Sequence, residues 1–97
     1  MKSMIEEVGV PAMLEQLAEE CCELGQAALK MSRRMRGENP TPKTKMECID
    51  SLIEEIADVE LCINELWNMV DKTKVEFVKE QKRVRWQLRS KEKEAEG

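Results

Sequence analysis

Residues 12–36 read AMLEQLAEECCELGQAALKMSRRMR, a run with no proline and a single glycine, Gly25. Ala, Leu, Glu, Met and Arg dominate it, and all are good helix formers. Leu14, Leu17, Ala18, Cys21, Leu24, Ala28, Met31 and Met35 recur at steps of three and four, which is the period of one helix face. Strand-type alternation is absent. One long amphipathic helix is the reading, and it sets the fold class as all-α.

Gly9-Val10-Pro11 closes a short N-terminal segment before this helix, and Gly37-Glu38-Asn39-Pro40-Thr41-Pro42 is the one clear loop after it. From Lys43 no proline or glycine returns until Gly97. Thr41 or Thr44 can cap a second helix from Lys45 to about Val70, striped by Ile49, Leu52, Ile56, Val59, Ile63, Leu66 and Val70. Asp71-Lys72-Thr73-Lys74 interrupts it, and Val75 to about Leu88 reads as a third helix. Residues 89–97 form a charged tail that is expected to fray. The short connection makes the first two helices an antiparallel hairpin. The chain of 97 residues thus reads as one helical domain, 1–97, with too little buried surface to be comfortable alone. The hairpin and C-terminal helix are expected to complete a four-helix-bundle-type core by oligomerisation.

Composition removes several chemistries. The chain has no histidine, so a Ser-His-Asp or Cys-His unit, a His-ligated zinc site and a Glu-x-x-His di-iron bundle are all excluded. Cys21, Cys22, Cys48 and Cys62 form no C-x-x-C pair, which suits reduced thiols in a cytoplasmic protein. No signal peptide or membrane span is evident. The net charge of −4 argues against a generic nucleic-acid coat.

The acidic residues are more informative. Glu20 with Glu23, and Glu55 with Asp58, are two pairs spaced i, i+3, so the members of each are neighbours on their helix. Measured at 100° per residue from Leu17, Glu20 and Glu23 fall at about −60° and −120°; from Leu52, Glu55 and Asp58 fall at the same angles. Both pairs flank their stripe on the same rotational side. In an antiparallel hairpin those flanks meet, and all four carboxylates can converge. No Lys or Arg occurs in residues 12–29 or 46–71 to neutralise them. Oxygen donors without imidazole suit Mg²⁺, Mn²⁺ or Ca²⁺, with Mg²⁺ favoured when substrate phosphates complete its shell. Such a site points to phosphate chemistry.

The stretch Leu17 to Lys30, LAEECCELGQAALK, followed by Ile53 to Leu66, IEEIADVELCINEL, resembles the EExxE…ExxD signature of MazG-like all-α nucleoside triphosphate pyrophosphohydrolases. Here the signature falls on Glu19, Glu20, Glu23, Glu55 and Asp58. The resemblance implies Mg²⁺-dependent hydrolysis of a ribo- or deoxyribonucleoside triphosphate to the monophosphate and pyrophosphate, by attack of a metal-activated water on the α-phosphorus. It implies metal ligation by Glu20, Glu23, Glu55 and Asp58, with Mn²⁺ as a substitute. Glu19 matches the motif but lies at about −160° from Leu17, which suits orienting a water or ligand. Family members are homodimers or dimers of dimers. The spacing between the motifs is slightly long for the family because of the loop around Asn39-Pro40-Thr41-Pro42. The Gly-Glu-Glu context of the related phosphoribosyl-ATP pyrophosphohydrolases is missing.

A triphosphate also needs cations. Lys30 lies two turns beyond Glu23, roughly 10 Å along the axis. Lys82 and Arg85 share a face with Arg89 in the basic C-terminal region, where they can clamp phosphates, form a solvated face or contact RNA. Asn64 is a candidate polar contact to the base, and Trp67 borders the core stripe. A non-catalytic helical dimerisation or adaptor module is the alternative reading, since stripes and a charged surface suffice for it.

Overall fold

In a computed structural model, residues 1–37 and 43–97 are described. Four α-helices account for most of them: α1 (Met4–Val8), α2 (Val10–Arg36), α3 (Lys45–Glu65) and α4 (Lys72–Glu96). A 3-10 turn, Leu66–Asn68, follows α3. No strand occurs among the described residues. The chain divides into two compact units, Met1–Leu66 and Trp67–Gly97.

In the first unit α2 and α3 form the expected hairpin. Met13 and Cys62 line one cleft while Ala27 and Cys48 line another, so the start of α2 lies against the end of α3 and the helices run antiparallel. The packed seam on α2 is Met13, Leu17, Glu20, Leu24, Ala27 and Met31; on α3 it is Cys48, Leu52, Glu55, Val59, Cys62 and Leu66. Both series step four, three, four, three, four, the spacing of helices that pack at a shallow angle along their length. This seam corrects the expected stripe. It is rotated by about 60° from it on α2, so that Met13 and Ala27 are buried while Leu14 (43 % exposed) and Met35 (67 %) are not. The reason lies in the breadth of the apolar sector: α2 and α3 are apolar over more than one contact can cover, and the hairpin uses one edge of it.

The helix ends follow from local chemistry. Gly9 ends α1 and starts α2 at φ 87° and ψ 164°, a conformation open in practice only to glycine. Pro11 sits in the first turn of α2, where its missing N–H costs nothing. Gly37 closes α2 in the left-handed region, its N–H donating to the Arg33 carbonyl at 2.9 Å, and Arg33, Arg34 and Arg36 complement the helix dipole there. Of the two caps offered for α3, Thr44 is used; Thr41 and the loop from position 38 lie outside the described residues. Thr44 Oγ1 accepts from the Glu47 N–H at 3.1 Å, and Glu47 Oε1 accepts from the Thr44 N–H at 3.3 Å, a complete capping box. Thr44→Ala is expected to lower unfolding free energy by about 1 kcal/mol, read from urea titration followed by circular dichroism. The short α1 is tied to the far end of the hairpin: the Ile5 N–H donates to Glu65 Oε1 at 2.9 Å.

In the second unit Asp71 caps α4, its Oδ1 accepting from the N–H groups of Thr73 (2.9 Å) and Lys74 (3.3 Å). The helix therefore begins at Lys72, inside the expected interruption. It also continues to Glu96, beyond the end expected near Leu88. Lys, Glu, Gln and Arg have good helix propensity, and no breaker stands before Gly97. Ion pairs Glu76–Lys79 (3.5 Å) and Glu80–Arg83 (2.9 Å) add i, i+3 support, worth a few tenths of a kcal/mol each at about this exposure. No residue of α4 is fully buried.

Candidate metal centre

The four acidic residues of the two i, i+3 pairs come together. Glu20 and Glu23 from α2 and Glu55 and Asp58 from α3 each offer a carboxylate oxygen, and these four oxygens lie within 4.8 Å of one another. Glu20 and Glu55 occupy the third position of their respective seams; Glu23 and Asp58 stand on the flank beside them, exposed. Helix-wheel angles alone put all four on the flank. The rotated contact instead draws Glu20 and Glu55 inward, which gives the centre a half-buried floor and an exposed rim.

That floor carries the observation most relevant to a metal. Glu20 Oε2 and Glu55 Oε2 are both buried with no hydrogen-bond partner. A buried polar oxygen left unpaired is unfavourable, and more so when charged. A divalent cation between the helices would satisfy both oxygens and cancel the repulsion among the four carboxylates. The all-oxygen donor set fits Mg²⁺ or Mn²⁺. Thiolate ligation does not fit: all four cysteines are free, Cys21 and Cys22 are exposed, and Cys48 and Cys62 lie apart along the seam. Burial pushes the Cys62 thiol up, and the carboxylates of Glu20 and Asp58 push it further, so it stays protonated near neutrality.

Glu20 itself is pulled both ways. The Gln16 amide donates to Glu20 Oε1 at 2.7 Å and draws its pKa down, but desolvation and the charges of Glu23 and Asp58 outweigh this, and the net shift is upward. Folded chains therefore hold a proton on Glu20 more readily than unfolded ones. The resulting stability is full below the ordinary carboxylate pKa and is lost as pH rises through the raised value. Metal-free wild type is accordingly expected to lose more stability than Glu20→Gln between about pH 4 and pH 7. Urea midpoints for the two proteins across that range measure the difference; parallel curves would contradict it.

Two clefts open from the centre. One, of about 330 Å³, is lined by Met4, Val8, Ala12, Met13 and Leu61 together with Glu20 and Asp58. The other, of about 270 Å³, is lined by Glu23, Glu55, Gln26, Lys30, Lys43 and Ser51. Lys30 thus reaches the vicinity of the centre as its axial spacing suggested. Lys43 was missed, because it precedes α3 in the sequence and only the turn of the chain into the capping box brings it alongside Ser51. Glu19 is exposed on α2 and is not among the four converging residues. Asn64 is exposed on α3, and Lys82 and Arg85 are exposed on α4 in the second unit. Comparison of the chain with protein-family models, with curated proteins and with solved structures returned no match.

Proposed function

We propose that this chain is a Mg²⁺-dependent nucleoside triphosphate pyrophosphohydrolase of MazG-like type, with Glu20, Glu23, Glu55 and Asp58 holding the metal. The observation that carries this reading is the convergence of four carboxylates with two buried oxygens left unpartnered. When bound, Mg²⁺ supplies neutralisation of the phosphoryl oxygens and acidifies a water for attack on the α-phosphorus; Mn²⁺ can replace it. Overall, water adds to the α-phosphorus, the bond from that phosphorus to the α–β bridging oxygen breaks, and nucleoside monophosphate and pyrophosphate leave. The protein's own groups bind and orient: carboxylates on the rim accept the proton released by water, and Lys30 meets phosphate charge. Glu19 is a candidate for orienting the water or a ligand, and Asn64, Lys82 and Arg85 are candidates for substrate contact. The cytoplasm suits four free thiols.

The same reading includes self-association. Opposite the carboxylate flank, the hairpin presents Leu14, Ala18, Cys21, Ala28 and Met35 of α2 beside Ile53 and Ile56 of α3, all exposed. Ile53 is 58 % exposed. An apolar flank of this extent on a small single chain is a surface for a second copy, as homodimer or dimer of dimers. α4 separately exposes Phe77, Val84 and Leu88 along one line. No helix among the described residues is long and apolar enough to cross a membrane.

The test incubates purified protein with a panel of ribo- and deoxyribonucleoside triphosphates and Mg²⁺ and measures pyrophosphate. Mg²⁺-dependent release from at least one nucleotide is expected. Silence across the panel would return the chain to the alternative, a helical association module without catalysis.

A further inference from the structure

We propose that Lys43, together with Lys30, receives the diphosphate end of the substrate, so that a nucleoside triphosphate lies across the carboxylate centre in one direction only. The inference rests on the nucleotide-hydrolase reading of that centre and adds the polarity of the bound substrate. Glu23 and Glu55, two of the four converging carboxylates, line the 270 Å³ cleft. Lys30 from the C-terminal half of α2 and Lys43 from the entry to α3 line the same cleft, with the Gln26 amide and the Ser51 hydroxyl as further polar groups. A ligand that meets both a divalent cation and two ammonium groups in one cleft must carry several negative oxygens a few ångströms apart. A diphosphate has that pattern, and a single phosphate is too short to use all of it.

The lysines are not consumed by the protein's own acids. Among the described residues neither Lys30 nor Lys43 is ion-paired with Glu23 or Glu55; the Lys43 ammonium donates instead to Ser51 Oγ at 3.3 Å. That bond leaves two of its three donors available. Its position is fixed locally as well. Lys43 immediately precedes Thr44, the cap residue of α3, so the capping box determines where its backbone leaves the helix. The opposite cleft has the contrary character. Met4, Val8, Ala12, Met13 and Leu61 give it an apolar wall, and it contains no Lys or Arg. Phosphates therefore belong on the lysine side and the nucleoside on the α1 side. Pyrophosphate, once cleaved, is left in the lysine cleft.

Titration calorimetry with imidodiphosphate, a non-hydrolysable diphosphate, in the presence of Mn²⁺ tests this without turnover. Lys43→Gln is expected to weaken imidodiphosphate binding about tenfold, the loss of one charge-assisted hydrogen bond. Mn²⁺ binding alone, followed by electron paramagnetic resonance, and nucleoside monophosphate binding should each stay within about twofold of wild type. Ser51→Ala serves as the milder second variant, loosening Lys43 without removing its charge. Equal imidodiphosphate affinity in wild type and Lys43→Gln overturns the inference while leaving the metal centre intact. Parallel weakening of monophosphate binding overturns the polarity. If wild type binds no Mn²⁺ at all, the reading of the carboxylate centre fails and the inference falls with it.

Discussion

Glu55→Gln is expected to reduce pyrophosphate release by about a hundredfold or more while leaving the helical circular dichroism spectrum close to wild type. The substitution keeps the shape of the side chain and removes the charge from one of two oxygens at the floor of the centre. Glu55 Oε2 is buried and unpartnered in the protein itself, so the fold loses no hydrogen bond when it is replaced. What the proposed centre would lose is a metal ligand. Asp58→Asn and Glu23→Gln on the rim are expected to act in the same direction, because their carboxylate oxygens belong to the same 4.8 Å cluster. The three effects should not add, since residues proposed to hold one cation would act as a unit. Glu19→Gln provides the contrast. Glu19 is exposed and outside the cluster, so Glu19→Gln is expected to leave Mn²⁺ binding near wild type, and a weakening of Mn²⁺ binding as large as that of Glu55→Gln would contradict the proposed metal site.

The second large effect concerns stability and needs no substrate. Adding Mg²⁺ or Mn²⁺ to metal-free protein is expected to raise its melting temperature. At a free concentration about a hundred times Kd, linkage gives about 2.7 kcal/mol, which for a chain of this size is on the order of 10–20 °C. Glu55→Gln should abolish that rise. In the absence of metal the same variant should melt at or above the wild-type temperature, because it removes one like charge from a crowded site and one charged oxygen that has no partner. The order of the two proteins therefore reverses when metal is added. A scan in which Glu55→Gln is the less stable protein under both conditions would show that Glu55 supports the fold directly. A wild-type curve indifferent to both cations would contradict the metal centre as a whole.

Much of this arrangement was legible from residue order. Two acidic pairs at i, i+3, on helices joined by a short connection, had to meet or diverge according to whether the helices ran antiparallel or parallel, and short connections give the antiparallel case. Helix caps were equally local: Gly9, Gly37, Thr44 and Asp71 act through their own backbone or their nearest N–H groups. The extent of α4 beyond Leu88 was not legible, because a high density of charge resembles a disordered tail. Those residues have good helix propensity and no breaker stands before Gly97, and the helix persists to Glu96.

The sequence by itself determined the all-α class, the hairpin and the identity of the four carboxylates, because period, caps and spacing are properties of one helix at a time. Only the tertiary structure decided which edge of the broad apolar sectors is packed. That choice puts Met13, Ala27, Cys48 and Cys62 in the seam and leaves Ile53 and Ile56 outside it. It also moves Glu20 and Glu55 from the flank into the contact, with one oxygen of each shut away from water. The position of Lys43 beside Ser51 is of the same kind. A rotation of about 60° costs a lone helix nothing; between two helices it decides which side chains share a surface, and no pattern within either helix records it.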